Sequence, residues 1–157
     1  MANDKSHSSS NFATNRQARF DYTILNEYEA GLILTGTEIK SIRAGMINLR
    51  GSYARAIGNE VWLYGVHIAS YENAGPNNHE PQRARKLLLH KKEVSEIKDK
   101  LAQKGLTLVP LRVYVKKRWV KIKLGLGRGK KKYDKRRTII DRDREREASR
   151  AIKRGLE

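Results

Sequence analysis

Val109-Pro-Leu-Arg-Val-Tyr-Val-Lys-Lys-Arg-Trp-Val-Lys-Ile-Lys-Leu-Gly-Leu126 is the stretch that decides the fold. Val109, Leu111, Val113 and Val115 alternate with Pro110, Arg112, Tyr114 and Lys116. Past a Lys117-Arg118 turn, Val120, Ile122, Leu124 and Leu126 alternate with Lys121 and Lys123. A period of two is that of a strand with one face turned to a core. The stretch therefore predicts a β-hairpin with one apolar face. Its other face carries Arg112, Tyr114, Lys116, Trp119, Lys121 and Lys123. Cations neutralise phosphates, and aromatic rings offer stacking faces worth about 1–3 kcal/mol per base. The plainer reading of the same face is a solvated surface with ordinary cross-strand pairs.

Working outward, Tyr53–Ile57 and Val61–Ile68 flank Gly58-Asn59, a good hairpin turn. Phe20 to Leu34 is β-prone but interrupted by Glu27, Glu29 and Gly31. It reads as two strands, Asp21–Tyr28 and Leu32–Leu34, turning near Ala30-Gly31. Thr35 to Gly45 reads as a short helix, capped by Thr35 or Thr37 and ended by Gly45. Glu72–Pro81 carries Asn, Gly and Pro and reads as a loop. From Arg85 to Lys104, Leu87, Val94, Ile97 and Leu101 fall on one helical face, and Gly105 suits the end of that helix. Short strands with helices between them predict a mainly β, α+β fold: an OB-type antiparallel barrel with two or three helices. Pattern alone leaves its topology open.

A net charge of +17 on 157 residues implies a polyanionic partner. Membrane is the weaker choice, because there is no long apolar run and no basic amphipathic helix with an aromatic face. Arg83, Arg85, Lys86, Lys91 and Lys92 add to the cations of the hairpin. With no cysteine there is no disulfide frame, zinc knuckle or thiol nucleophile. Residues 1–14 read as a disordered, cytoplasmic leader without the apolar stretch of a secretory signal. The body spans 15–127, and 128–157 form a basic tail. Gly125-Leu-Gly-Arg-Gly129 before Lys130 lacks the Ser or Thr a phosphate loop needs. It reads instead as a flexible joint between body and tail. On a helix, Arg142, Arg146, Arg150 and Arg154 form one repelling ridge, partly offset by Asp143–Arg146 and Glu147–Arg150. Ile140, Ala148 and Ile152 make only a thin apolar strip. Ordering each residue costs roughly 1–2 kcal/mol. The tail is thus expected to be disordered when free and helical when bound, the alternative being a solvated helix packed on the body.

Catalysis finds little support. His7, His67, His79 and His90 do not fall at metal-ligand spacing, and no serine sits in a nucleophile elbow. Neither metal nor cofactor is expected.

Longer motifs are more specific. Asn15-Arg-Gln-Ala-Arg, Tyr28-Glu-Ala-Gly-Leu, Gly36-Thr-Glu-Ile-Lys-Ser-Ile-Arg-Ala-Gly45, Arg85-Lys-Leu-Leu-Leu-His90, Gly105-Leu-Thr-Leu-Val-Pro-Leu111 and Gly129-Lys-Lys-Lys-Tyr-Asp-Lys-Arg136 occur in this order. With them the chain resembles the small protein B (SmpB) family, bacterial partners of transfer-messenger RNA (tmRNA), from about Asn15 to Ile152. The resemblance implies an adaptor, not an enzyme. Such a protein binds the tRNA-like domain of tmRNA and brings it to stalled ribosomes. Its tail enters the empty mRNA channel at the small-subunit decoding centre, and the nascent peptide is tagged for degradation. Elongation factor Tu and alanyl-tRNA synthetase act on the same RNA, and the adaptor is expected to be a monomer. The family's RNA-binding positions match Asn15, Glu29, Leu88 and Lys121, with Lys40, Arg43 and Lys123 as neighbours. Glu29 either orients a cation or accepts from a base or ribose hydroxyl, unless it is a plain surface carboxylate. Leu88 either packs under the RNA-facing loop or fills the core. The ribosome-facing positions match Gly129, Lys130, Lys131, Tyr133, Asp134, Lys135, Arg136 and Ile152. Other readings are a structural ribosomal protein, a general RNA chaperone or a ribonuclease.

Overall fold

The long hairpin is present as β8 (Leu106–Lys116) and β9 (Trp119–Gly129), in the computed structural model that describes residues 11–155. Lys117 and Arg118 close it with φ of 49° and 73°, the left-handed pair a tight hairpin turn demands. The remaining strands are β1 (Asn11–Thr14), β2 (Tyr22–Leu32), β3 (Ile47–Asn48), β4 (Tyr53–Ile57), β5 (Glu60–Tyr64), β6 (His67–Ile68) and β7 (Arg85–Leu88). The helices are α1 (Arg16–Asp21), α2 (Gly36–Arg43), α3 (Lys91–Leu101) and α4 (Lys132–Gly155). The large sheet is antiparallel and runs β8-β4-β5-β7-β2-β9, and β9 returns to pair with β8. The ladder thus closes on itself as the barrel expected, its thinnest seam being the single Ala54–Leu108 pair. Inside lie Ile42, Val61, Leu63, Ile68, Leu87, Ile97, Leu108, Val113, Ile122 and Leu124, all buried.

Several elements differ from the expectations. Asn11–Thr14, expected to be disordered, pairs as β1 with Arg112–Tyr114 of β8; residues 1–10 of the expected leader lie outside the described residues. β2 runs unbroken through Ala30-Gly31, where a turn was expected. Gly31 serves close packing there: a Cβ on it would sit 3.3 Å from that of Leu88. Arg85–Leu88 is a strand between β5 and β2 rather than the start of a helix.

The hairpin's apolar face is split. The β8–β9 register slips between Pro110 and Arg112, leaving Leu111 as an extra residue. Leu108 and Val113 therefore face the barrel interior, while Val109 and Leu111 turn outward and pack with Ala18 of α1, Tyr22 and Ile24. Gly125 and Gly127 lie under this second cluster inside β9, not in a flexible joint. A Cβ at Gly125 would come within 3.0 Å of Leu111, and one at Gly127 within 2.9 Å of Tyr22. Only Lys130 and Lys131 separate β9 from α4.

The tail forms the long helix α4, Lys132–Gly155. Between Lys132 and Arg154 no Gly or Pro interrupts it. Its first turns rest on α1, yet none of its residues is buried.

Candidate nucleic-acid interface

Glu29 is the hub of the outer face formed by β2, β9 and β8. It lies in register with Lys123, and Gly31 with Lys121; Lys121 faces Tyr114 across the hairpin. The Glu29 carboxylate accepts from the Tyr114 hydroxyl and, at 3.3 Å, from Lys116. The Arg112 guanidinium lies 4.7 Å over the Tyr114 ring. The Tyr114 hydrogen bond, followed by Lys116 and Lys123, holds the Glu29 carboxyl below the usual carboxylate range. Burial first, and Glu29 second, push the Tyr114 hydroxyl well above its ordinary value. Glu29 thus holds a cation and a phenol on this face.

Leu88 does not fill the core: it is 53% exposed. It stands beside Gly31 on the β7–β2 seam and, with Lys121, lines two grooves. The first groove is largely apolar, walled by Ile33, Leu34, Ile39 and Trp119, and carries Arg43, Arg118 and Lys121. Such a groove takes a flat base against its wall and a phosphate at its cations. The second holds Glu27, Glu29, Glu93 and Glu96, with His90 beside them. Its carboxylates suit ribose hydroxyls and base amino groups. Glu96 accepts from the Tyr28 hydroxyl at 2.9 Å, and burial first, then Glu96, pushes Tyr28 up to about 12.

Glu29, Arg43, Leu88 and Lys121 are therefore brought together, and Lys123 flanks Glu29. Lys40 is exposed on α2, 5.3 Å from the Tyr71 ring. Asn15 stands apart. It is buried, accepts from Ala18 N as the cap of α1, and donates to Leu49 O and Pro110 O. Its side chain holds α1 to β8 and presents no free group to an RNA.

Arg83 and Arg85 are not free cations. Glu38, fully buried on α2, accepts from Arg83 at 2.7 Å and from Arg85 at 3.0 Å. Arg85 also donates to Val66 O and Pro81 O, and burial is the main cause lowering its pKa. Lys86 is paired with Glu60 at 2.7 Å. Sequence reasoning missed Glu38, although its place at i, i+4 from Ile42 puts a carboxylate on the apolar face of α2. It also took Arg118 as a turn residue only, though Arg118 sits beside Trp119 at the mouth of the first groove.

The tail residues start from the far end of the same ladder. Gly129 pairs with Tyr22, and Lys130 N donates to Asp21 O at 2.8 Å. Lys135 pairs with Asp21 at 3.1 Å. Lys131, Tyr133, Asp134, Arg136 and Ile152 are exposed, Tyr133 at 74% and Ile152 at 65%. Gly129 lies eight residue steps along β9 from Lys121, about 26 Å at strand rise. Groove and tail root are thus distinct surfaces.

The family model described as SmpB protein matches residues 12–154. The chain belongs to the SmpB family. Relatives named SsrA-binding protein are similar to it in sequence. That of Roseiflexus sp. (strain RS-1) is 56% identical over 142 residues, covering 90% of this chain and 90% of the relative. That of Trichodesmium erythraeum (strain IMS101) is 57% identical over 140 residues, covering 88% and 90%. A solved structure described as "tmRNA-SmpB: a journey to the center of the bacterial ribosome" aligns with a TM-score of 0.65 at 51% identity. It covers 76% of this chain and 85% of its own. For an SmpB-family chain, then, the grooves around Leu88 and the helix beyond Gly129 are the two surfaces to explain.

Proposed function

We propose that this SmpB-family protein is an adaptor of trans-translation. It binds the tRNA-like domain of tmRNA through the grooves flanked by Glu29, Arg43, Leu88 and Lys121, and delivers the RNA to stalled ribosomes. Body 15–127 holds the RNA. Tail 128–157 occupies the empty mRNA channel at the decoding centre, through Lys130, Lys131, Tyr133, Lys135, Arg136 and Ile152. The nascent peptide is then tagged for degradation and the ribosome released. The protein acts in the cytoplasm as a monomer and catalyses nothing; elongation factor Tu and alanyl-tRNA synthetase act on the RNA it carries.

The observation that carries this reading is the extent of the match: the family model spans residues 12–154, most of the arm included, and an SsrA-binding relative aligns over 90% of this chain. The placement of Leu88 and Lys121 between an apolar, cation-bearing groove and an acidic one supports the same reading. The test is to isolate the protein from bacterial cells and sequence the RNA that accompanies it. One dominant structured RNA, with the protein substoichiometric to ribosomes, is expected. Stoichiometric recovery with ribosomes would establish a structural ribosomal protein instead, and a heterogeneous RNA mixture a general chaperone.

A further inference from the structure

Tyr114, one of the two rings on the hairpin's polar face, is only 2% exposed. The Arg112 guanidinium lies over its ring, so no base can stack there. What the residue offers instead is its hydroxyl, which donates to Glu29. Burial, then Glu29, keeps that phenol protonated far above neutrality, so it is a permanent donor. Glu29 needs one. Its carboxylate shares the second groove with Glu27, Glu93 and Glu96, and a bound RNA would add phosphates. Negative neighbours favour the uncharged carboxyl. Tyr114 is the largest opposing influence, ahead of Lys116 and Lys123. The Glu29 side chain stays 32% exposed. A carboxylate has roughly four acceptor positions, so acceptor capacity remains beyond Tyr114 and Lys116.

We propose that Tyr114 is a positioning residue for RNA recognition: its buried hydroxyl fixes the Glu29 carboxylate at the rim of the acidic groove, as the acceptor for an N–H or O–H donor of the RNA. This rests on the reading that the tRNA-like domain occupies the grooves. A glutamate left loose at the surface would lose side-chain freedom on binding, whereas one already tied to a buried phenol loses less. Tyr114 is also the cross-strand partner of Lys121. The sheet itself therefore sets the spacing between the acceptor and the cation that meets phosphate. The charged groups around Glu29 come from three sides. Arg112 and Lys116 stand on β8, and Lys121 and Lys123 on β9. Glu27 shares β2 with it, and His90, Glu93 and Glu96 lie at α3.

Tyr114→Phe removes one oxygen and keeps the ring. In the free chain, carbon NMR of the Glu29 carboxyl should show it titrating at higher pH in the variant than in the unaltered protein. Affinity of the variant for the tRNA-like domain at pH 7.5 should fall about fivefold, the worth of one hydrogen bond. The deficit should widen as pH drops toward about 5, because the released carboxyl gains a proton sooner. His90 and the other acids titrate in both proteins and cancel in the comparison. In a Glu29→Ala background, read at low salt, the same Tyr114→Phe change should cost no further affinity, since no carboxylate is left to position. A merely structural role would cost as much in either background. Identical titration of Glu29 in the two proteins overturns the proposal. So does undiminished affinity of Tyr114→Phe, or a loss that is the same with and without Glu29. Failure of the unaltered chain to bind the RNA strikes the proposed function, while the carboxyl titration still decides whether Tyr114 holds Glu29.

Discussion

Lys121 is the side chain on which the proposed interface turns. It lines both grooves and has no carboxylate within 4 Å among the described residues. If it meets a phosphate, Lys121→Ala lowers affinity for the tRNA-like domain and reduces the slope of log affinity against log salt by about one. A salt titration of both proteins reads this, and an unchanged slope removes the phosphate contact. Glu29 makes the complementary case, since its effect is exerted through Tyr114 and Lys116. Its folded pKa lies below the unfolded one, so its contribution to stability is complete above the ordinary carboxylate pKa. It is lost as pH falls through the folded value. Acid unfolding of the native protein should therefore show a loss of stability below about pH 4.5 that Glu29→Gln reduces. Parallel curves for the two proteins would mean that the carboxylate gains nothing from its partners.

α2 and β9 show which parts of an element can be read from sequence. Thr35 caps α2 through Glu38 N, and Gly45 takes a φ of 75° beyond its end, both as expected. Alternation identified β4, β5, β8 and β9 because one face of each is buried. It failed at β7, since Leu87 happens to continue the helical spacing of Val94, Ile97 and Leu101, and a four-residue strand is too short to show its own period. It failed at Leu111, because a bulge shifts register without altering the alternation. The β9 glycines read as a hinge, yet their use is contact with α1's cluster, a long-range fact no local pattern holds. Gly127→Ala is accordingly expected to destabilise the fold by about 1–3 kcal/mol through overpacking against Tyr22. The buried ion pairs of α2 were equally invisible, because Arg83 and Arg85 look like surface cations until Glu38 is found beneath them. Glu38→Ala leaves Arg85 buried without its carboxylate and should cost about 3–5 kcal/mol, a loss measurable by urea denaturation at constant m-value.

At the scale of the whole molecule, the proposed division between an RNA-binding body and a ribosome-directed tail makes the strongest demand. The groove residues and the tail root lie at opposite ends of the β2–β9 ladder, so removing one surface leaves the other's pairing intact. Residues 133–157 hold nine Lys and Arg against six Asp and Glu. Their loss therefore leaves most of the +17 charge on the body, and with it the steering of a polyanion. No residue of α4 is buried, so the barrel core keeps its packing when the helix is cut. A chain ending at Lys132 should bind the tRNA-like domain with nearly native affinity and unfold at nearly the native urea midpoint. It should also fail to tag nascent peptides on stalled ribosomes, because nothing then reaches the empty channel. A truncated chain that tags at the full rate would place ribosome recognition on the barrel. One that no longer binds RNA would put part of the RNA surface on the helix. Only the combination of retained binding and lost tagging fits an arm that acts apart from the barrel.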